Sequence, residues 1–420
     1  MRYSAEWQDD ATNLAPEERA TVADLRLWLD QQNICLHLQG TKSVDHITVP
    51  LYALTEGLAH DWWTLFRGRD NFLSFFRYRS GYAIPDVRMA YDGAAFEISS
   101  EQRIYTNPDI RFWAGSSQVM TRPDAEAQLS EFIEFVLGRL EAKGVAPTSA
   151  VLRWARVKAS REDVAEASFC EAAGALRLDP YNIDESAAHS IEQSSELFEG
   201  EPLTEFLGGA RPKNCLRLVD WVKKVEGRAS NKSRVGELQS AAVAVAGQVP
   251  DRPGEASWAR GYRRARALRR QLGFDQTRRF ETFLRLAQAI GASTQFDLAP
   301  PIDGIRLLRS HHGDDAHLHL RTHGRSAEAE ASHLFSIARG IGDVVCFPVP
   351  QRAPVNELRS AYRQAAGRAF AAEFLAPVNE ILSMQDDGRD NVAIAEEFNV
   401  STEVIERQIE NAQRIEGACR

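Results

Sequence analysis

The sequence has few of the features that mark secreted, membrane-spanning or nucleic-acid-coating proteins. Its 420 residues include five cysteines that lie far apart with no Cys-x-x-Cys pair, so neither a disulfide framework nor a zinc knuckle is predicted. No apolar run approaches the ~18 residues of a membrane span. The first ten residues lack the apolar core of a signal peptide. We therefore expect a cytoplasmic protein with no membrane partner.

Positive charge is also scarce. Lys and Arg number 50 against 59 Asp and Glu, and the net charge of −9 argues against a protein that coats nucleic acid. The composition, 44% apolar and 26% charged, is that of an ordinary globular protein, and the length suffices for two or three domains. Only a local basic segment could therefore contact nucleic acid.

The order of predicted elements favours an α+β fold with several domains. Residues 1–145 alternate short strands with helices and predict a mixed α+β domain of no recognised family. Residues 150–227 carry apolar stripes at helical spacing and predict a helical connector. Residues 228–257 are rich in Gly, Ser, Asn and Pro, which predicts a linker with at most one short helix. Residues 258–420 predict a mainly helical domain with a small sheet.

A dense mixture of aromatic and basic residues lies inside the first predicted domain. Its members are Trp62, Trp63, Phe66, Arg67, Arg69, Phe72, Phe75, Phe76, Arg77, Tyr78, Arg79 and Tyr82. Interleaved aromatics and arginines can stack nucleic-acid bases. The same composition also builds the edge of a core, with arginine stems lying over rings. We favour the core interpretation and keep nucleic-acid binding as an alternative.

The most informative stretch of the chain is residues 332–377. In its first part, apolar residues recur at three- and four-residue spacing and predict a buried helix: Leu334, Ile337, Ile341 and Val344. A second helix is predicted over residues 355–376, where Pro377 ends it. This second helix is rich in Ala and Gly, so another helix can approach it closely.

These two helices resemble the core of the ImmA/IrrE family of zinc metallopeptidases. That family carries Ala-His-Glu-Leu-Gly-His on the first helix and Glu-x-x-Ala-Asn-x-Phe-Ala on the second, followed by a hydrophobic run and Pro. Over the first motif, residues 338–343 read Ala-Arg-Gly-Ile-Gly-Asp. Over the second, residues 364–371 read Gln-Ala-Ala-Gly-Arg-Ala-Phe-Ala. The resemblance extends from residue 258 to about residue 413, somewhat over a third of the chain.

The framework residues of the family match, whereas the residues that carry its chemistry do not. Two histidines one turn apart hold zinc, and the glutamate between them takes a proton from the zinc-bound water. Here Arg339 and Asp343 stand at the histidine positions, Gly340 at the general base and Gln364 at the third ligand. A guanidinium has donors only and cannot ligate a cation. We expect Arg339 and Asp343, one turn apart, to form a local ion pair.

These substitutions predict a protein that keeps the peptidase fold and has lost the metal. The family cleaves helix-turn-helix repressors or antitoxins in stress, mobile-element and phage-response circuits. The resemblance therefore implies a catalytically inactive regulatory or sensing protein, without a cofactor, that binds a protein or nucleic-acid partner; a gene neighbour could encode a protein partner. Two alternatives remain open: a zinc endopeptidase with rearranged ligands, and a nucleic-acid-binding protein.

Two other segments carry candidate binding residues. His317 and His319 form a His-x-His pair on a predicted strand and are the other metal candidates, although surface histidines on a hairpin explain the pattern as well. The predicted helix over residues 258–272 is strongly basic, so it either grips phosphates or an acidic partner or forms a solvated face. Its candidate binding residues are Arg263, Arg264, Arg266, Arg269 and Arg270.

The end of the chain has the pattern of a helix-turn-helix. Residues 390–401 predict a short helix and a tight turn, and a second helix follows. The second helix carries Glu403, Glu406 and Glu410, which would repel phosphate. We therefore expect this pair of helices to pack against the domain and not to bind DNA.

Overall fold

A computed structural model gives the fold. It describes residues 1–9, 13–67, 72–102, 110–145, 147–228, 232–324 and 326–418. The described residues form helices and several small antiparallel sheets, which confirms the predicted α+β fold class. The chain divides into two compact units, residues 1–191 and residues 192–420. No helix within the described ranges is both long and apolar enough to cross a membrane.

The first unit is built on small antiparallel sheets. Its strands are β1 (Arg2–Trp7), β2 (Val22–Leu29), β3 (Gln32–Asn33), β4 (His37–Gln39), β5 (Lys42–Val44), β6 (Ile47–Pro50), β7 (Leu73–Ser74), β8 (Asp86–Tyr91), β9 (Phe96–Glu101), β10 (Ile110–Phe112) and β11 (Ser116–Met120). Strand β2 pairs with β1, β3 and β6; the other sheets have the orders β10-β4-β5 and β11-β9-β8-β7.

The helices of the first unit cover these sheets. They are α1 (Pro16–Ala20), α2 (Tyr52–His60), α3 (Trp62–Arg67), α4 (Arg122–Ala142), α5 (Ser149–Glu162) and α6 (Val164–Ala175), with a 3₁₀ turn at Phe75–Tyr78 and with α7 (Glu185–Ser195) at the division between the units. Helix α4 begins where the Thr121 side chain accepts a hydrogen bond from the amide of Asp124. Its buried side chains recur at helical spacing, as the sequence predicts.

The aromatic and basic stretch belongs to the core of the first unit. Trp62, Trp63, Phe66 and Phe75 are all buried there. The Arg79 guanidinium lies 5.3 Å from the centre of the Phe76 ring, and similar arginine–ring contacts occur elsewhere in the stretch. The structure thus agrees with the core interpretation. Arg69 lies outside the described residues, as does the side chain of Arg67.

The second unit is mainly helical. Its helices are α8 (Gly200–Gly209), α9 (Cys215–Glu226), α10 (Leu238–Gln248), α11 (Ser257–Gln271), α12 (Phe283–Ala289), α13 (Ala327–Cys346), α14 (Tyr362–Leu375), α15 (Val378–Asp386), α16 (Asn391–Phe398) and α17 (Thr402–Ala418), with a 3₁₀ turn at Pro212–Asn214. One antiparallel sheet of order β13-β12-β14 contains β12 (Leu307–His312), β13 (Asp315–Leu320) and β14 (Ala353–Val355).

The boundary between the two units differs from the domain boundaries predicted from the sequence. The predicted connector 150–227 is split after Ile191, because Trp154 and Val157 of α5 are buried in the core of the first unit. The predicted linker 228–257 includes α10, whose Leu238 and other small apolar residues are buried in the core of the second unit. The linker prediction rested on the Gly, Ser, Asn and Pro content and on the few large apolar residues, whereas the small apolar side chains of α10 still pack in this core although each buries little area.

The centre of the second unit is the close packing of α11, α13 and α14. Gly261 of α11 makes this approach possible, since a Cβ atom there would lie 2.5 Å from the carbonyl oxygen of Ala366. Gly342 of α13 plays the same part against the ring of Phe370, at 2.7 Å. The Gly- and Ala-rich helix surfaces therefore bring the backbones of the three helices together, as the composition predicts.

The last two helices, α16 and α17, pack against the rest of the second unit, as the sequence predicts. Asp390 caps α16 by accepting a 2.8 Å hydrogen bond from the amide of Ala393. Asn399 then turns the chain in the left-handed conformation, with φ of 51°. Phe398 and Ile405 are buried in the core of the second unit, so both helices contribute to its packing.

Replacing Gly261 with alanine should destabilise the second unit. The added methyl group would press on the backbone of α14, and overpacking of this kind costs about 1–3 kcal/mol. Gly247→Ala is the matched control, because a Cβ atom at that glycine of α10 meets nothing within 4 Å. The control should raise stability by up to about 1 kcal/mol. Urea unfolding of both variants tests this; equal effects would contradict the packing described.

Candidate functional site

Arg339, Gly340 and Asp343 lie on α13, and Gln364 lies on α14, which packs against α13. Helix α13 begins at a Ser326 cap, which accepts a 3.2 Å hydrogen bond from the amide of Ala329. The side chains predicted to face the core, from Leu334 to Val344, are fully buried. This burial turns the polar side of the helix toward α14, where residue 364 lies.

Arg339 contacts the third position of the motif directly. Its side chain is 3% exposed, and Nη2 donates a 3.0 Å hydrogen bond to Oε1 of Gln364 and another to the carbonyl oxygen of Asn356. Burial lowers the pKa of this guanidinium well below its usual range, and the charges of Arg368 and Arg306 lower it further. A buried cation therefore occupies the position that corresponds to the first zinc ligand.

Asp343 is enclosed by two other arginines. Nε and Nη2 of Arg363 lie 2.5 and 2.6 Å from its two oxygens, and Nη1 of Arg309 lies 3.1 Å from Oδ2. Burial raises the pKa of the Asp343 carboxyl, but the charges of Arg363 and Arg309 outweigh burial and bring the pKa below its ordinary value. The predicted ion pair between Asp343 and Arg339 is wrong, because these two arginines take both carboxylate oxygens.

Arg309 is a buried partner of Asp343 that the sequence interpretation missed. It is fully buried in β12, and its guanidinium also donates 2.8 Å hydrogen bonds to the carbonyl oxygens of Phe347 and Val349. Burial lowers the pKa of Arg309 to about 10, against the opposing effect of Asp343. An arginine directly after Leu307 and Leu308 in a buried strand was the available signal, since arginine is rarely fully buried without a partner.

The side-chain amide of Gln364 bonds backbone groups at β14, the edge strand of the sheet. Its Oε1 accepts a 3.0 Å hydrogen bond from the amide of Asn356, and its Nε2 donates 2.8 Å bonds to the carbonyl oxygen of Pro354 and to Oε2 of Glu205. An amide can donate and accept at the same edge, as a neighbouring strand would. A glutamate here would have no donor and would face the Glu205 carboxylate. Glu205, 1% exposed on α8, was not predicted either.

Gly340, at the position of the general base, lies against the sheet. A Cβ atom there would come within 2.8 Å of Leu307 Cδ1 and 3.3 Å of Leu318 Cδ2. A glutamate at this position would therefore have to displace Leu307. The close contact of α13 with the sheet explains why glycine suits this position.

The donor chemistry of this region is unsuited to a metal ion. Three buried guanidinium groups, of Arg309, Arg339 and Arg363, oppose the approach of a divalent cation. Among the described residues, no group of three or more His, Cys, Asp or Glu side chains is arranged to hold a metal. The region is instead a buried ionic network, defined here as Arg309, Asp343, Arg363, Arg339, Gln364 and Glu205.

His317 and His319, the other metal candidates, are buried and not on the surface. They are 6% and 5% exposed, so the surface interpretation of the hairpin is wrong. Residues 233–235 run beside β13 and cover it; the amide of Leu318 donates to the carbonyl oxygen of Ser233 at 2.8 Å. The two imidazoles lie 2.9 Å from serine hydroxyls, His317 Nδ1 from Ser233 and His319 Nε2 from Ser310.

Most arginines of α11 have partners inside the second unit. Arg264 and Arg269 are buried; Arg264 lies 2.9 Å from Asp251, and Arg269 donates to the carbonyl oxygen of Phe374. Arg263 pairs with Glu255 and Arg266 with Glu373, at 2.6 and 2.7 Å, and Arg270 is exposed. The guanidinium groups of Arg264 and Arg269 therefore lie in the interior of the unit and form neither a solvated face nor a phosphate-binding surface.

No protein-family model matches the chain, and neither curated proteins nor solved structures give a match. What the site does must therefore be inferred from its own residues. Their contacts define a buried ionic network that joins α13, α14 and the sheet.

Replacing Asp343 with asparagine should destabilise the second unit strongly. The change leaves two buried guanidinium groups without their counter-ion, and breaking a buried pair in this way costs about 3–5 kcal/mol. Asp315→Asn is the control, because Asp315 pairs with Arg234 where both side chains are more than a third exposed. Such a pair contributes about 0–1 kcal/mol. Urea unfolding that gave the two variants similar stability would contradict the role assigned to Asp343.

Stability should also decrease in acid because of His319. Burial, and then the charges of His317 and His312, lower the pKa of His319 from 6.5 to about 3. Between these pH values the unfolded chain binds more protons than the folded chain. The contribution of His319 is therefore complete above pH 6.5 and is lost as the pH falls toward 3.

The variant His319→Gln isolates this effect, since an amide can still bond Ser310. It should reduce the pH dependence of the free energy of unfolding by up to about 1.4 kcal/mol per pH unit. Denaturant unfolding at several pH values between neutral and mildly acidic conditions measures the slope. His312→Gln, at an exposed position of the same hairpin, should leave the slope nearly unchanged. Equal slopes for wild type and His319→Gln would refute the assignment.

Proposed function

We propose that this chain is a regulatory or sensing protein that acts by binding a protein partner, and that its second unit is a metal-free counterpart of the ImmA/IrrE-like peptidase core. One observation carries the proposal. Arg339 and Gln364, at the positions of the first and third zinc ligands, form a 3.0 Å hydrogen bond with each other. A cation and an amide thus hold together the two helices that a metal ion would otherwise bridge.

The chemistry of the remaining positions supports a role without peptide hydrolysis. Hydrolysis by a zinc peptidase needs a bound water and a general base beside it. Gly340 supplies no base, and both oxygens of Asp343 are held by arginines. Among the described residues, these positions therefore offer no general base and no free carboxylate that could activate a water molecule.

A protein is the partner that the charge distribution favours over nucleic acid. The chain carries a net charge of −9. Within the second unit, Arg263, Arg264 and Arg266 of the basic helix are already paired with acidic side chains. Stress, toxin–antitoxin and phage-response circuits are the settings that the resemblance suggests, and a gene neighbour could encode the partner.

Metal analysis of the purified full chain tests the proposal. Protein prepared without chelator, and then incubated with zinc and desalted, should retain far less than one zinc per chain. Its melting temperature should be the same with and without EDTA, because no ligand set is present for the chelator to empty. One tightly bound zinc per chain that is lost in the Asp343→Ala variant would overturn the proposal and favour the zinc endopeptidase.

A further inference from the structure

A second feature lies one to two turns before Asp343 on α13 and at the adjoining end of the sheet, and it shares Arg339 with the buried ionic network. Several buried polar atoms without a hydrogen-bond partner in the described ranges gather around this part of the helix. They are Nε of Arg321, Nε2 of His323, Oγ of Ser336 and Nε of Arg339. Buried polar groups without partners are rare and call for an explanation such as a ligand.

Contacts between neighbouring residues place these atoms in one region. The amide of Arg321 donates a 3.0 Å hydrogen bond to the carbonyl oxygen of Arg306, so these two arginines flank adjacent strands at the same end of the sheet. Nη1 of Arg306 lies 3.1 Å from the hydroxyl of Ser332 on α13. His323 lies beside the same helix, since its amide donates a 2.8 Å hydrogen bond to Nε2 of His333.

Three guanidinium groups lie close together in this region. Arg306 and Arg339 share one carboxylate, that of Glu357, which bonds Nε of Arg306 and lies 3.6 Å from Nη1 of Arg339. Burial lowers the pKa of Arg306, and the charge of Arg321 lowers it further. Within the described residues, Nε of Arg321 and Nε of Arg339 both lack a hydrogen-bond partner.

The carboxylate that joins Arg306 and Arg339 is a group that a ligand could replace, because the Glu357 side chain is 64% exposed and needs no buried space to turn away. Its backbone is held independently. Arg339 donates to the carbonyl oxygen of Asn356, and Arg368 donates to those of Leu358 and Arg359. The Glu357 carboxylate can therefore leave while the surrounding loop stays in place.

We propose that Arg306, Arg321 and Arg339 form a binding site for a phosphate group, in which the Glu357 carboxylate is an internal substitute that the ligand displaces. A phosphate group offers at least three acceptor oxygens, one more than a carboxylate, to the guanidinium forks and to the hydroxyl of Ser332. Arg339 is nine-tenths buried and holds its Nε without a partner beside this position. The inference does not depend on the resemblance to metallopeptidases.

Calorimetric titration of the full chain with inorganic phosphate tests the site. Phosphate should bind and raise the melting temperature, whereas chloride at the same ionic strength should do neither. Glu357→Gln should tighten binding about tenfold, because it removes the competing charge. Arg306→Gln should weaken binding about tenfold or more. Arg234→Gln, at an exposed arginine elsewhere in the same unit, should leave binding unchanged.

A parallel titration with glycerol phosphate shows whether the site prefers a phosphorylated small molecule or free inorganic phosphate. Tighter binding of the ester assigns the site to a phosphorylated small molecule, and tighter binding of the inorganic ion assigns it to free phosphate; both support the site. Absence of binding by wild type and by Glu357→Gln at about 10 mM ligand would overturn it. So would binding that Arg306→Gln does not weaken, or binding confined to a nucleic-acid strand. These outcomes are independent of the zinc content, so failure here leaves the proposed function standing.

Discussion

The second unit depends on one buried carboxylate held between two buried arginines. Asp343 joins α13 to α14 through Arg363 and to the sheet through Arg309. Removing three charges from water costs several kcal/mol for each ion, and the cost is offset only when the hydrogen bonds are complete. Arg309 meets this condition with two further backbone carbonyls. The geometry of helix, helix and sheet is therefore fixed by where these charges can be satisfied.

The neighbouring polar contacts extend the same principle. Gln364 uses both ends of its amide at the edge of β14, and Arg339 bonds that amide from the opposite helix. Glu205 brings α8 into the network. Networks of this kind specify one arrangement because each unpaired member would be costly in a low-dielectric interior. A metal ion could enter only after several of these bonds had been broken.

Periodicity and composition predicted much of the fold. The apolar spacing of α13, the Gly- and Ala-rich composition of α14 and the end of α14 before Pro377 were all visible, because each is a local property of the chain. The unit boundary and the burial of α10 were not visible. They depend on which small apolar faces meet across long sequence separations, and composition alone does not record that.

The candidate site was predicted in its positions and missed in its contacts. Arg339, Gly340, Asp343 and Gln364 do come together, but the partner of Asp343 could not be read from helical spacing. Helical spacing offers Asp343 only Arg339, one turn away. The structure offers it two arginines from other elements, Arg309 of β12 and Arg363 of α14, and both bond its carboxylate. The sequence also did not predict that residues 233–235 cover His317 and His319, because that segment carries few large apolar side chains.

The central claim is that a buried ionic network joins α13 and α14 without a metal ion. A crystal structure of the full chain grown with zinc, with diffraction data collected at the zinc absorption edge, tests it most directly. The account predicts no anomalous peak between the two helices, Arg339 in contact with Gln364, and Asp343 held by Arg309 and Arg363. An anomalous peak between the helices, with Asp343 and Gln364 turned toward it, would contradict the account.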